Sequence, residues 1–396
     1  MNKKKIICYC CLAYNNKKLL ILKNFPITTV NNLSYKNRNN LKKKFNLILY
    51  LCLNCKNIFY IHKFKYSNLY NNFNSRPFNY RNTKQHKLYF EKLKKIASIT
   101  SKDLIYDIGK NAYDLKKILL VSNKVVNFDP RKKNFNNKIS FRAFNKNNFS
   151  LKPKIINCYN FIGNILDINT FIFNIKKILH PKGVIGLYFI YGPNLINNFA
   201  LDKIYSEHIN YLSITGLTIL LEKYNLRIVD LAFYENKNYC HVVIMHSDDK
   251  MVEYKKNIKR IIKTEKVITV NSVKKFRKKL FIEKKNVNYF LKKFKKSKEQ
   301  IFGYGGSISS FPLILNYDLT KYLNIIYDDF PLSDYIHLNN KFLKLDKFRK
   351  KQFIAITNYL ILAPRYFPII KKKIFTKLKK IRVISFLPTL KIYSKI

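Results

Sequence analysis

Tyr205, Ser206, Glu207 and His208 set a phenol, a hydroxyl, a carboxylate and an imidazole in four consecutive positions. Imidazole is the one side chain whose unperturbed pKa lies near neutrality, so His208 can take a proton as a general base. A second set can bind metal. Cys8 and Cys11 form one CxxC pair and Cys52 and Cys55 another. Each pair brings two thiolates to the spacing of a metal knuckle, and four thiolates complete a closed tetrahedral zinc site. Cys10 is a spare thiol that could compete in register, and His62 is not needed. Each set also has a plainer reading, a capped solvated turn for Glu207–His208 and buried free thiols for the cysteines.

The elements that must position these residues follow from periodicity. The segment 215–224, TGLTILLEKY, reads as an amphipathic helix directly after the Tyr205 cluster, and RIVDLAF as a strand after it. LILYL before Cys52 and KNIFYIHKF after Cys55 read as the strands of a zinc-ribbon hairpin. HKLYFEKLKKIAS has helical spacing, with Leu88, Leu93 and Ile96 expected toward a core. From Asp103 the pattern is strand (to Asp107-Ile-Gly109), helix, then strand (KVVNFDP, ending at Asp129). That is the start of a doubly wound nucleotide-binding sheet: the glycine lets backbone approach a ligand, and an acid at the second strand tip can accept both ribose hydroxyls. KIINCYNFI, TFIFNIKKIL and VIGLYFIY continue the alternation. Beyond Asp249 come basic helices with a solvated charged face. A smaller α/β unit follows, with strands at IFGYGGS, LNIIYDD and NYLILAPRY.

Composition narrows the choice. A chain of 396 residues, 47% hydrophobic, has material for two or three cored domains. Its net charge of +55 would ordinarily point to a polyanion. Here the basic residues run from end to end with no discrete stripe, and Lys, Asn, Ile, Tyr and Phe dominate throughout, the bias of an AT-rich coding sequence. A nucleic-acid partner is therefore not expected, although a zinc knuckle on a basic surface is the form it would take. No apolar run reaches the roughly 18–20 residues of a membrane span. The basic start MNKKKIICYCCLAYNNKK lacks a cleavage site, so it is read as a mature terminus of a cytoplasmic chain with reduced thiols.

Taken together, these parts resemble the S-adenosylmethionine-dependent sugar C-methyltransferases, which act on nucleotide-linked 4-keto-deoxysugars. The resemblance covers nearly the whole chain. Cys8, Cys11, Cys52 and Cys55 fall where that family has its zinc ligands. Asp107, Gly109 and Asn111 match its cofactor turn, Asp129-Pro130 its ribose-gripping acid, and Asn160 the residue where the fourth strand opens toward the site. Tyr205, Glu207, His208 and Tyr211 match a Tyr-His-Glu-His-x-x-Tyr signature with one change, and GYGGS, YDDFP and LILAPRY match the third domain in order. The resemblance implies an α/β chain of three parts: a zinc-ribbon-like domain at 1–68, a Rossmann-like class I methyltransferase domain at 69–250 and a second Rossmann-like domain at 251–396. It implies S-adenosylmethionine and Zn2+ as cofactors, a small-molecule substrate, and methyl transfer to carbon. His208 would be the base, Glu207 would orient it or bind a sugar hydroxyl, and Tyr205 would donate to the developing enolate oxygen. Ala112, Tyr113, Asn164, Tyr188, Ser206, Ser309, Ser310 and Phe311 depart from the family pattern. They raise a second expectation, a relative that keeps the fold with an altered substrate or without cofactor binding.

Overall fold

The computed structural model describes residues 6–26, 44–61, 81–108, 123–128, 152–248, 255–331, 333–348 and 356–395. Three sheets organise them. The first is an antiparallel hairpin of β1 (Asn16–Pro26) and β2 (Lys44–Cys52), extended by β3 (Ile58–Tyr60) and then by β8 (Asn210–Tyr211). β1 and β2 pair from Asn16 opposite Cys52 to Pro26 opposite Lys44, which brings the first CxxC beside the second.

The second sheet runs in the order β5-β4-β6-β7-β10-β9. β4 (Ile105–Ile108), β5 (Val125–Phe128), β6 (Ile155–Tyr159) and β7 (Val184–Ile190) are parallel. β9 (Leu226–Tyr234) and β10 (Tyr239–His246) form an antiparallel hairpin whose second strand inserts beside β7. Chain order reverses between β4 and β6, so the ligand crevice of this sheet lies beyond the carboxyl ends of those two strands. The buried runs IYDI, IINCY and VIGLYFI are apolar along both faces, as strands covered by helices must be. Helices α1 (Arg81–Ala97), α2 (Ile168–Ile178), α3 (Pro193–Asn197) and α4 (Ile214–Glu222) accompany this sheet. In α1 the apolar face differs from the expected one. Leu93 is buried as expected and Ile96 partly so, but Leu88 is exposed, and Tyr89, Phe90 and Ala97 turn inward instead. The aromatic rings bury more area than a leucine can, so they set the phase of the helix.

α5 (Lys255–Lys266) and α6 (Val270–Lys296) lead to the third sheet. α6 buries Val273, Phe276, Leu280, Val287, Leu291 and Phe294 at helical spacing and turns its lysines to solvent. The third sheet has the order β13-β14-β12-β11-β15-β16-β17. β11 (Gln300–Tyr304), β12 (Ile325–Asp328), β14 (Lys341–Lys347), β15 (Thr357–Ile361) and β16 (Ile381–Ser385) are parallel, with β13 (Tyr335–Leu338) and β17 (Lys391–Lys395) antiparallel at the edges. It is again doubly wound, with its order reversing between β11 and β15. It carries seven strands, where the sequence suggested three.

The sheets share cores. The four paired cysteines and Phe59 pack in one cluster with Ile156, Phe161, Ile162, Leu212 and Leu217 of the central part. Leu22, Phe25, Leu49 and Tyr60 pack in another with Tyr211, Phe276, Leu280, Leu313 and Ile326. The N-terminal sheet is thus wedged between the two doubly wound units. For α1, Leu93→Ala should lower the apparent melting temperature by an amount matching a loss of about 2–5 kcal/mol, while Leu88→Ala should leave it unchanged within error. Equal effects in a thermal melt would contradict the observed helix phase.

Candidate functional site

The stretch 205–213 is held from two sides. On one, β8 pairs with β3 (Ile58 opposite Tyr211, Phe59 opposite Asn210), and the Tyr60 N–H donates to the Ile209 carbonyl at 3.1 Å. The Tyr60 hydroxyl also donates to the Ser206 carbonyl. On the other, the 3-10 turn Ile162–Asn164 that follows β6 lies directly beneath. Asn210 Nδ2 donates to the Ile165 carbonyl at 2.7 Å. A Cβ on Gly163 would stand 2.9 Å from the Asn210 carbonyl oxygen and 3.9 Å from His208 Cγ, so only glycine lets the turn approach this closely. Ser213 caps α4 by accepting from the Gly216 N–H at 2.8 Å, and its hydroxyl donates to the Cys55 carbonyl at 2.5 Å. Glu265 of α5 adds a second, charged cap. It accepts from the N–H groups of Ile214 and Thr215 at 2.8 and 2.7 Å and from the Tyr191 hydroxyl at 2.7 Å. A carboxylate at a helix N-terminus meets both the free donors and the positive end of the dipole.

Within this frame Glu207 and His208 are buried and Tyr205 is half-buried. The Tyr205 and Tyr211 rings both lie edge-on to the imidazole, with centroids at 5.1 and 6.1 Å. The Tyr205 N–H donates to the Tyr211 hydroxyl at 3.1 Å. Burial holds the His208 pKa down to about 4, so the ring is neutral and able to accept a proton. Burial pushes Glu207 up to about 7, against the hydrogen bond from the Ser206 hydroxyl at 3.2 Å. Glu207 Oε1 is buried with no hydrogen-bond partner among the described residues, and the same holds for Asn164 Oδ1.

Asp107, at the carboxyl end of β4, is also buried. Its Oδ1 accepts from Asn157 Nδ2 at 2.6 Å, and Asn157 in turn accepts from the Tyr89 hydroxyl at 3.0 Å. Its Oδ2 has no partner among the described residues, and burial lifts its pKa to about 7. A buried carboxylate oxygen left open at the ligand edge suits a cationic group. Asn160, just past β6, is exposed with a φ of 53°, its N–H bonded to the Tyr188 carbonyl at 2.7 Å. Asparagine is one of the few residues that take this left-handed backbone readily. Gly109, Asn111 and Asp129, and with them Ala112, Tyr113, Pro130 and His62, lie outside the described residues.

The Sγ atoms of Cys8, Cys11, Cys52 and Cys55 lie within 4.8 Å of one another, with Cys8–Cys55 at 3.6 Å and Cys11–Cys52 at 3.5 Å. A zinc tetrahedron with bonds of about 2.3 Å has edges of about 3.8 Å, so the four thiols fit the ion with small adjustments. Cys10 is not one of the four: its thiol donates to the Gly216 carbonyl at 3.1 Å.

Sequence reasoning missed the polar cluster beside this site. Asp202 and Lys203 are buried together, Lys203 Nζ lying 2.7 Å from Asp202 Oδ2. Arg365, in the loop after β15, pairs with Glu235 in the β9–β10 turn. Tyr188 is the middle of a stack, 4.3 Å from Tyr159 and 5.4 Å from Tyr239. One lysine among so many gave no signal, but the scarcity of acids could have. With 22 acidic residues against 77 basic, each acid is a candidate for a specific role.

No family model matches the chain, and no curated protein matches it. Among solved structures it is similar to an S-adenosylmethionine-dependent methyltransferase from Clostridium acetobutylicum ATCC 824, at 10% identity over 41% of this chain and 92% of that one, with a TM-score of 0.32. It is similar to the O-methyltransferase of a trans-AT PKS multienzyme of Brevibacillus brevis in complex with S-adenosyl-L-homocysteine (11%, 50% and 85%, TM-score 0.32). A third is the CcbJ methyltransferase from Streptomyces caelestis (10%, 44% and 100%, TM-score 0.31). At these identities and TM-scores the likenesses carry no argument, and the function rests on the site itself. Among the described residues no helix is long and apolar enough to cross a membrane.

A group held below its ordinary pKa by the fold contributes stability above its unfolded pKa and loses it as pH falls. For His208 that window runs from about 6.5 down to about 4. Histidine-selective NMR, with the resonance assigned through His208→Gln, should find the ring neutral at pH 5.5. A midpoint near 6.5 would contradict the buried placement.

Proposed function

We propose that this chain is a class I S-adenosylmethionine-dependent methyltransferase that methylates a carbon next to a carbonyl, on a small molecule of the nucleotide-linked 4-keto-deoxysugar type. One observation carries the reading. A neutral buried imidazole, flanked by two phenols and a carboxylate, is fixed beside the carboxyl edge of a doubly wound sheet whose last two strands form an antiparallel hairpin. That strand arrangement is the class I methyltransferase one, and the edge is where a nucleotide-like cofactor lies in such sheets.

Asp107 and Asn160 would hold the cofactor from the tips of β4 and β6, and Gly109, Asn111 and Asp129 are carried over from the resemblance. When bound, S-adenosylmethionine supplies a methyl group on a sulfonium centre. His208 removes the carbon-bound proton, and its low pKa keeps it in the accepting form at neutral pH. Tyr205 donates to the enolate oxygen as charge develops there, while burial keeps its own proton on. Glu207 orients the substrate through its open carboxylate oxygen. Cys8, Cys11, Cys52 and Cys55 would hold Zn2+, which does no chemistry and braces β3 against β8.

Calorimetric titration of zinc-loaded protein with S-adenosylmethionine should give micromolar binding that His208→Ala leaves unchanged, while turnover on a ketosugar falls by about 10²–10⁴. Loss of both on a folded variant would remove His208 from the role of base. Absence of binding to the folded wild type at millimolar ligand would favour the relative that keeps the fold without the cofactor.

A further inference from the structure

The carboxyl edges of the two doubly wound sheets meet at one place. The β9–β10 turn lies beside the carboxyl end of β7, since Tyr239 is opposite Ile190 and the Tyr191 N–H donates to the Asn238 carbonyl at 3.0 Å. The loop from Ala363 to Tyr366 leaves the carboxyl end of β15 at the point where the third sheet reverses its strand order. Ala363 touches the β11 turn there: a Cβ on Gly305 would stand 2.6 Å from its own. Arg365 reaches from this loop to Glu235 of the β9–β10 turn. Both edges are where doubly wound sheets bind ligands.

Two cations converge at this meeting point. Lys203 Nζ lies 5.6 Å from the Tyr239 ring centroid and Arg365 Cζ lies 6.0 Å from the same centroid. Lys203 is 3% exposed, and among the described residues its hydrogen bonds go to Asp202 alone, although an ammonium carries three donors. The proximity of two like charges out of water is unfavourable unless an anion offsets it. Asp202 and Glu235 supply that offset, each paired with one of the cations, but Glu235 is poorly suited to hold its charge. Burial raises its pKa, and Oε2 is buried without a partner among the described residues. Its backbone is left-handed too. Glu235, Asn236 and Lys237 have φ of 50, 55 and 64°, a run that Glu and Lys adopt at a cost and that is kept where the surroundings require it.

We infer that Lys203 and Arg365, brought together over Tyr239 by the two sheets, form the binding site for phosphoryl oxygens of the substrate, with Glu235 as a placeholder that yields Arg365 when the anion arrives. The guanidinium offers a planar fork that suits two phosphoryl oxygens, and the ammonium a point charge beside it. The inference rests on the proposed reading of the chain as a transferase for a phosphate-bearing small molecule, and it gives the third sheet its part: without Arg365 the site lacks one of its two cations.

The test is calorimetric titration with thymidine diphosphate and, separately, inorganic pyrophosphate at moderate salt, for the wild type, Arg365→Gln and Glu235→Gln. Melting curves confirm that each variant is folded. Arg365→Gln should weaken thymidine diphosphate binding tenfold or more. Glu235→Gln, which removes the competing charge, should tighten it at least twofold. Pyrophosphate should follow the same order if phosphoryl oxygens alone are read, and bind far more weakly if the nucleoside is needed as well. A structural ion pair gives a different pattern, both variants losing stability with equal effects on binding, and that outcome would overturn the site. So would wild-type affinity in Arg365→Gln, the mark of diffuse attraction to a basic surface, or no binding of either probe to the wild type. S-adenosyl-L-homocysteine titrated into the same samples separates the two levels: its affinity should be the same in all three proteins. Its failure to bind any of them would count against the methyltransferase reading and leave the diphosphate result to be judged by itself.

Discussion

A strand of two residues carries more of this architecture than any helix. Asn210 and Tyr211 belong by sequence to the central part of the chain, yet they are the last strand of the N-terminal sheet. Through them the sheet that begins at the cysteine knuckle ends at the imidazole. A two-residue strand has almost no stability of its own, because ladder hydrogen bonds cannot offset the conformational entropy of fixing so few residues. It persists because β3 is held by Cys52 and Cys55 just before it, Gly163 admits the β6 turn beneath it, and Ser213 and Glu265 cap the helix after it. Together these constraints hold the loop that carries His208.

The same economy governs the charges. Asp107, Asp202, Glu207, Asp230, Glu265 and Glu283 are all buried in a chain with few acids. Some serve structure. Glu265 neutralises the start of α4, Glu283 accepts from the Leu390 N–H at 3.0 Å, and Asp230 pairs with Lys92 of α1. Glu207 and Asp107 each have a buried oxygen that no described residue satisfies, as do Asp230 at Oδ1 and Glu235 at Oε2. Leaving such an oxygen unmet costs on the order of 1–3 kcal/mol, so a fold keeps it where a ligand meets it.

The thiol pairs were legible because metal ligation is a local demand on spacing, and the four Sγ atoms do come together. The parallel strands up to β7 were legible from their apolar runs. β9 was legible as RIVDLAF, but its hairpin with β10 was not, because the turn, Glu235-Asn-Lys-Asn238, has no glycine and reaches the left-handed region with ordinary residues. β8 was invisible for a different reason: two residues carry no period, and their pairing is decided by tertiary contact. Leu88 is exposed because the Tyr89 and Phe90 rings, with more area to bury, set the phase of α1. Lys203 and Arg365 could not be picked out, since in so basic a chain burial alone distinguishes them, and burial is a property of the fold.

The cysteine knuckle holds the imidazole-bearing stretch through β3 and β8. Hydrogen exchange on zinc-loaded protein and on the same protein after chelation tests it most directly. Protection should be lost together in 52–60 and 209–213 on chelation, while β6 and β7 keep theirs. Unchanged protection at 209–213 in the metal-free protein would contradict it.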